Sequence, residues 1–481
     1  MRAVSARRAS TSQNGEAGGK GKKMKSSYFV RALLAGSAVI LSTAAWAQEP
    51  EAQPDASDAT ADAAIAEAQQ LDDAQAKIEL LQAQVEALQE SIAQNQAAQV
   101  KATPSWKGTP QLEDKEAGWS FKPRGRLMYD FATVSTPGDY INTGLGFSNE
   151  LRRGRLGVEG TIPGGFGYKL ELDYASGDVE FADAYLSYKH GPWEVDVGQH
   201  NNFQSLEELT SSLHTSFIER AAFTDAFGFE RRVGASAQYS SGPLLAQAGV
   251  FTDSIADLNE IGDDNNSYGF DGRLVYAPMM GSNQLHFAAS GHYRELKDAA
   301  TSVRYRQRPA VHTTDIRFVD TGNLSGAEKE TGYGLEAAGI FGPFHIAGEA
   351  YWQNVSRAGF EDPAFFGGYI EGGYFFTGES RGYKGGKFDR VKVIKGFDKG
   401  GFGALSLNLR FDYLDLNSKG ILGGKQNAYQ ASLNWKPTDY VLFGLNYAHL
   451  VYKDAIDIDP TIGVDRDYSV DMVALRSQID F

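Results

Sequence analysis

Phe166-Gly167-Tyr168-Lys169-Leu170-Glu171-Leu172-Asp173-Tyr174-Ala175 alternates along its whole length. On an extended backbone Phe166, Tyr168, Leu170, Leu172 and Tyr174 share one face, and Lys169, Glu171 and Asp173 share the other. The unit recurs from Trp119 to Phe481. In Leu285–Arg294, Leu285, Phe287, Ala289 and Tyr293 oppose His286, Ser290, His292 and Arg294. The final segment sets Val473, Leu475, Ile479 and the terminal Phe481 on one face, broken only by Ser477. A soluble sandwich also alternates, but its polar face points out. Here the polar face holds charge in segment after segment, and aromatic residues crowd the ends of the apolar one. That is the pattern of a transmembrane antiparallel β-barrel with a wet lumen.

The composition fits one large barrel: 54 Gly, 23 Tyr and 28 Phe stand against 15 Pro and no Cys. With no cysteine, disulfide frameworks and thiolate metal sites are excluded. The only continuous apolar run, Ala32–Leu41, is too short to cross a bilayer as a helix. It follows Lys25 and Arg31 and precedes Ala45-Trp46-Ala47, so it reads as a secretory signal cleaved before Gln48. Met24 would start a signal of ordinary length, which makes residues 1–23 an upstream extension, and 1–47 together the removed leader. The net charge is −15, and losing this basic leader makes the remainder more acidic. Such a balance argues against a nucleic-acid partner. It decides little about permeation, which depends on charges within a Debye length of the narrow path.

Residues 48–70 form an acidic, Ala- and Pro-containing segment expected to be flexible. Across residues 71–100 a heptad places Leu71, Ile78, Val85 and Ile92 at a, with Ala74, Leu81 and Leu88 at d. This predicts a short parallel α-helical coiled coil in the periplasm, the alternative being an amphipathic helix lying on the barrel. Residues 101–117 read as a linker and 118–481 as the barrel.

Sixteen alternating segments can be counted, among them 151–162, 331–341, 402–413 and 427–436. Tight Pro-containing turns follow the even ones, as at Pro163, Gly191-Pro192, Gly242-Pro243, Pro278, Gly342-Pro343 and Pro437. Short turns on one rim and long loops on the other match outer-membrane barrels, the short rim being periplasmic. One stretch breaks this parity, the long and basic Gly378–Gly401. The third long loop, Asn201–Ala226, would constrict the channel if it folded inward. Within it, Ser205–Ala221 reads as helical.

Arg304, Arg306 and Arg308 alternate, so an extended chain carries their guanidinium groups on one face, roughly 7 Å apart. Such a ladder could hand an anion from site to site, and the planar guanidinium fork suits phosphate. The competing reading is a solvated loop whose arginines pair with Asp298 and Asp315. Two further basic groups come from Arg124 and Arg126 with Arg153 and Arg155 on the first two strands, and from Lys384, Lys387, Lys392 and Lys395. No G-x-S-x-G, H-E-x-x-H or P-loop motif occurs, and the 8 His are scattered. No catalytic residue, metal ligand or cofactor is therefore nominated.

From about Gly118 to Phe481 the chain resembles the phosphate- and pyrophosphate-selective porins, the porin O and P family. The resemblance rests on Ser120-Phe121-Lys122-x-x-Gly125-Arg126-Leu127, Arg152-Arg153, Phe181-x-Asp183-Ala184 and Ile218-Glu219-Arg220. Further anchors are Tyr293-Arg294-x-Leu296-x-Asp298, the arginine ladder, Gly334-Leu335-Glu336 and Phe376-Thr377-Gly378-Glu379-x-Arg381-x-Tyr383-Lys384. It implies a sixteen-stranded, homotrimeric porin in outer-membrane lipid of a Gram-negative cell, passing small anions such as phosphate or polyphosphate. By resemblance Arg126, Arg152, Arg153, Arg220, Arg304, Arg306 and Arg308 match anion-path arginines. Lys169, Lys384 and Lys387 match its lysine lining, and Asp183 an acidic residue at the constriction. Two positions depart from the pattern. His312 stands where the family's ladder has a fourth arginine, and Glu208 where phosphate-selective members carry a lysine. A carboxylate there raises the barrier to a multivalent anion, so a porin of broader or different selectivity is the alternative. A barrel serving mainly to anchor the periplasmic coiled coil is a second alternative.

Overall fold

The structure is a computed structural model describing residues 58–102, 105–138, 144–261, 266–297, 300–458 and 465–481. The leader, Asp298 and residues 48–57 of the expected flexible segment lie outside the described residues, whereas residues 58–70 of that segment are helical.

Helix α1, Asp58–Ala102, covers the heptad. It begins 13 residues before the predicted coiled coil, at an Ala-rich stretch, Ala59 to Ala68, whose helix propensity overrides its acidity. The heptad side chains lie open in the single chain, Leu71 being 64% and Leu88 60% exposed.

The barrel has sixteen antiparallel strands. The first four are β1 Trp119–Val134, β2 Gly146–Ile162, β3 Phe166–Asp173 and β4 Glu180–His190. Next come β5 Trp193–Asn201, β6 Arg231–Ser241, β7 Leu244–Phe251 and β8 Tyr268–Tyr276. The third quarter is β9 Asn283–Glu295, β10 Ala327–Phe341, β11 Phe344–Arg357 and β12 Ala364–Phe375. The last is β13 Ala404–Ser418, β14 Ile421–Thr438, β15 Val441–Lys453 and β16 Tyr468–Asp480. Each strand pairs with its sequence neighbour, and β16 pairs with β1, Leu475 opposite Phe131 and Arg476 opposite Asp130. Alternation sorts the faces as expected: in β1, Leu127, Tyr129 and Phe131 are exposed while Met128, Asp130 and Ala132 are buried.

Several boundaries move outward from their expected places, most of all the start of β14 at Ile421, the start of β2 at Gly146 and the end of β13 at Ser418. β13 and β14 rise together into a hairpin closed by Lys419-Gly420, where paired backbone replaces hydrophobic alternation as the organising force. This turn is short although it lies on the long-loop rim. At the opposite rim Gly191, Gly242 and Gly342 open the Gly-Pro turns at φ 57, 56 and 59, the left-handed conformation that glycine enters freely. The exceptional basic stretch forms a small hairpin there, Gly382–Lys384 against Lys387–Asp389.

The segment read as a linker is partly structured. Residues 105–107 pair with 109–111, and Leu112 and Asp114 pair with Phe121 and Trp119 of β1. β16 ends where Phe481 exchanges backbone bonds with Gly125, at 3.0 and 3.1 Å. Below that point β1 would present a bare edge, and the hairpin covers it. Gly125 is required at the junction, because a Cβ there would collide with the Phe481 ring.

Candidate functional site

The third long loop, residues 202–230, does fold into the lumen, but not as one helix. Only Leu206–Leu209 and Ala222–Ala226 are helical. Wall side chains accept from the first amides of both helices and from Ile218 between them. Glu349 of β11 accepts from the amides of Leu206 and Glu207 at 2.9 and 2.7 Å. Asn446 of β15 accepts from Ile218 at 3.2 Å, and Asp412 of β13 from Ala222 at 2.8 Å. Arg410 of β13 lies 2.6 Å from both Glu207 and Glu371, all three fully enclosed. Arg476 of β16, held 2.6 Å from Asp130, donates to the Ile218 carbonyl at 2.7 Å. The loop is thereby pinned to the β11–β16 side, and the free space lies against β1–β6.

That space includes two cavities that meet at a shared wall. One, of about 510 Å³, opens towards the long loops and is lined by Glu208, Glu219, Gln307, Arg308 and His312. The other, of about 480 Å³, opens towards the short turns and is lined by Arg124, Arg126, Lys169, Lys384 and Lys387. They share Arg153, Arg155, Arg220 and Arg231, a neck of four guanidinium groups.

Most charges at the neck are matched. Arg155 bridges Glu171 at 3.2 Å and Asp173 at 2.7 Å, and Arg126 lies 3.0 Å from Glu171 while donating to Ser212 of the loop at 3.2 Å. Arg152 forms a two-pronged bond with Glu219 at 2.8 and 3.1 Å, which ties the loop to β2. Arg220 donates to the backbone carbonyls of Glu207, Glu208 and Thr210, so it holds the loop's shape as well as lining the neck. Glu208 lies 3.4 Å from Arg220. Burial pushes its carboxyl pKa up, against the pull of Arg220, Arg231 and Arg153. Lys169 lies 2.5 Å from Asp183, which is buried. Arg153 is different. Its recorded contact is the Met128 sulfur at 3.9 Å, and among the described residues no carboxylate lies within 4.0 Å of it. A buried guanidinium left without an acid keeps its charge uncompensated at contact distance.

The ladder is extended as expected, with Tyr305 and Gln307 buried on its far face. Its three rungs are not equivalent. Arg304 is exposed and paired with Asp320, its Nε at 2.8 Å, and Arg306 stands opposite that same Asp320 in strand register. Only Arg308 reaches the outer cavity, where it donates to Thr314 O at 2.9 Å and to Asp315 at 3.2 Å. His312 lies 3.0 Å from Glu150. Lys384 and Lys387 line the inner cavity, with no carboxylate within 4.0 Å among the described residues, and burial pushes the Lys387 pKa down to about 8.

Arg231 was missed by the sequence reading. It opens β6 and lies 2.7 Å from Asp183. Its signal was the run Glu230-Arg231-Arg232 at a strand start, which looks like any charged rim.

Comparison with known proteins agrees with this architecture. The family profile described as phosphate-selective porin O and P matches residues 121–481. An uncharacterized protein of Caulobacter vibrioides is 49% identical over 386 residues, 78% of this chain and 77% of the relative. Among solved structures, the anion-selective porin from Comamonas acidovorans has a TM-score of 0.50 at 12% identity, covering 76% of this chain and all of its own. OmpT of Vibrio cholerae also has a TM-score of 0.50, at 11% identity, covering 76% of this chain and 98% of its own.

Proposed function

The chain belongs to the phosphate-selective porin O and P family and is an outer-membrane porin, and from that premise we propose that it passes small anions, phosphate and polyphosphate among them, by passive diffusion. The observation that carries this reading is the neck, where four guanidinium groups meet and Arg153 has no carboxylate within 4.0 Å among the described residues. An anion entering from outside meets Arg308, then the neck, then Lys384 and Lys387. Each site is strong enough to admit it, and none is a closed cage that would hold it. Arg126, Arg152, Arg220 and Lys169 contribute by shaping the path, since their own charges are shared with carboxylates or the loop backbone. Arg304 and Arg306 contribute little, since both stand against Asp320, which pairs with Arg304. Copies assemble as a homotrimer, with the heptads of α1 joining as a periplasmic coiled coil.

Single-channel recording in a planar bilayer tests the reading. Reversal potentials in a potassium chloride gradient should report anion preference, and phosphate should reduce the chloride current. Cation preference, or no current from folded protein, would overturn it, the second outcome favouring the anchoring role. Glu208 supports a second reading, a channel of broader selectivity, because it places a carboxylate at the outer side of the neck. Under that reading the chloride current persists while phosphate block is weak, and Glu208→Lys strengthens the block.

A further inference from the structure

Asp183 is a carboxylate at the waist of a channel read above as anion-selective, and an uncovered carboxylate there would repel the permeant ion. It is covered from two sides. Lys169 of β3 meets Oδ2 at 2.5 Å, and the Nε of Arg231 meets Oδ1 at 2.7 Å. Lys169 and Asp183 reach each other across the β3–β4 ladder, where Glu171 is the direct partner of Asp183 and adds a second negative charge. Lys169 is shared, lying 3.9 Å from Glu171 as well. Glu171 has its own cations in Arg126 and Arg155, at 3.0 and 3.2 Å, so Lys169 and Arg231 divide the charge of Asp183 between them.

The arginine suits that task because its two ends do different work. Nε is committed to Asp183, while the terminal nitrogens have no protein acceptor among the described residues. The side chain keeps 25% of its exposure, and it lines both cavities, so the uncommitted end faces the junction. We propose that Arg231 is a selectivity-positioning residue: it masks Asp183 through Nε and offers its terminal nitrogens to the passing anion. This rests on the anion-channel reading and goes beyond it by assigning a role to a residue outside the arginine ladder and the paired arginines of β2. Asp183 in turn holds the guanidinium through Nε, leaving donors on the terminal nitrogens uncommitted.

The test is a mutant cycle in full-length protein, read as the chloride-to-potassium permeability ratio from reversal potentials. Heat-modifiable gel mobility serves as the folding check. Arg231→Gln should lower the ratio about fivefold or more, the scale of one unit charge at contact distance, because it both removes a cation and unmasks Asp183. Asp183→Asn should raise the ratio. The double variant should recover much of what Arg231→Gln lost, and Arg231→Lys should fall between parent and Arg231→Gln, since one ammonium cannot mask and face the path at once. An unchanged ratio in Arg231→Gln overturns the proposal. So does a double variant as depressed as Arg231→Gln, which would make Arg231 a simple anion contact. Should Arg231→Gln not fold, the ratio of Asp183→Asn decides, because a fall there contradicts masking. A parent channel without anion preference would instead sink the underlying reading and leave a different signature, a low ratio in every variant.

Discussion

The two halves of the lumen wall carry the same kind of residues and use them differently. On β11–β16, Glu349, Glu371, Arg410, Asp412, Asn446 and Arg476 point inward and are consumed by the third loop. On β1–β6, Arg126, Arg153, Arg155, Lys169 and Arg231 also point inward, yet they border open cavities. One half is a glue line and the other a path. The difference lies in what covers the side chains, since buried charge must be paired whereas charge beside water can stay in excess. Charge on a lumen wall is therefore informative about permeation only once the loop is placed.

The seam joining the halves should respond most strongly to mutation. Gly125→Leu would drive a side chain into the Phe481 ring and open the β1–β16 junction, so folded, heat-modifiable barrel in the outer membrane should fall sharply. Normal levels would show that the terminal ring can be rehoused. Next comes the glue line. Arg410→Met leaves Glu207 buried without its cation and Glu371 with only Arg381, at 3.6 Å, a loss of about 3–5 kcal/mol. The temperature at which the barrel unfolds on gels should drop, and current noise should rise as the loop loosens. Arg153→Gln on the opposite half should leave that temperature unchanged, because no bridge is broken. It should instead lower the anion-to-cation permeability ratio, by roughly fivefold for the loss of about 1 kcal/mol. If Arg153→Gln unfolds the barrel as readily as Arg410→Met, the division between glue and path is wrong.

A smaller effect is expected from pH. Lys387 has its pKa pushed down to about 8 by burial and by the nearby cations Lys169, Arg273 and Arg231, with Asp183 opposing. It is charged below that value and neutral above it, so anion preference should decline as pH rises from 7 to 9. Lys387→Arg should flatten this part of the profile, because a guanidinium keeps its charge throughout. The smallest change should come from the ladder's outermost rung. Arg304→Ala should alter the permeability ratio little, since Asp320 already offsets that charge, whereas Arg308→Ala should alter it measurably. Equal effects at the two positions would mean that the ladder works by summed field and not by contact with the path.

Alternation identified sixteen strands and the closed barrel, because in a membrane every strand must bury one face in lipid and wet the other, and the Pro-containing turns told the two rims apart. Those constraints act on residues two apart and are written in the chain. Boundaries such as Gly146 and Ile421 were not legible, since paired backbone continues past the membrane band without any apolar signal. The loop was misread as helical for a related reason. Wall carboxylates Glu349 and Asp412 cap two separate short helices and Asn446 takes the Ile218 amide between them, all more than a hundred residues away. The site divides the same way. Which residue types would line the path was visible from their face and sign. That Arg153 is free, Arg304 neutralised, Arg152 and Arg220 committed to the loop, and Arg231 set against Asp183 depended on contacts between distant strands. Electrostatic worth depends on the nearest countercharge and on the water around it, and both are properties of the folded barrel.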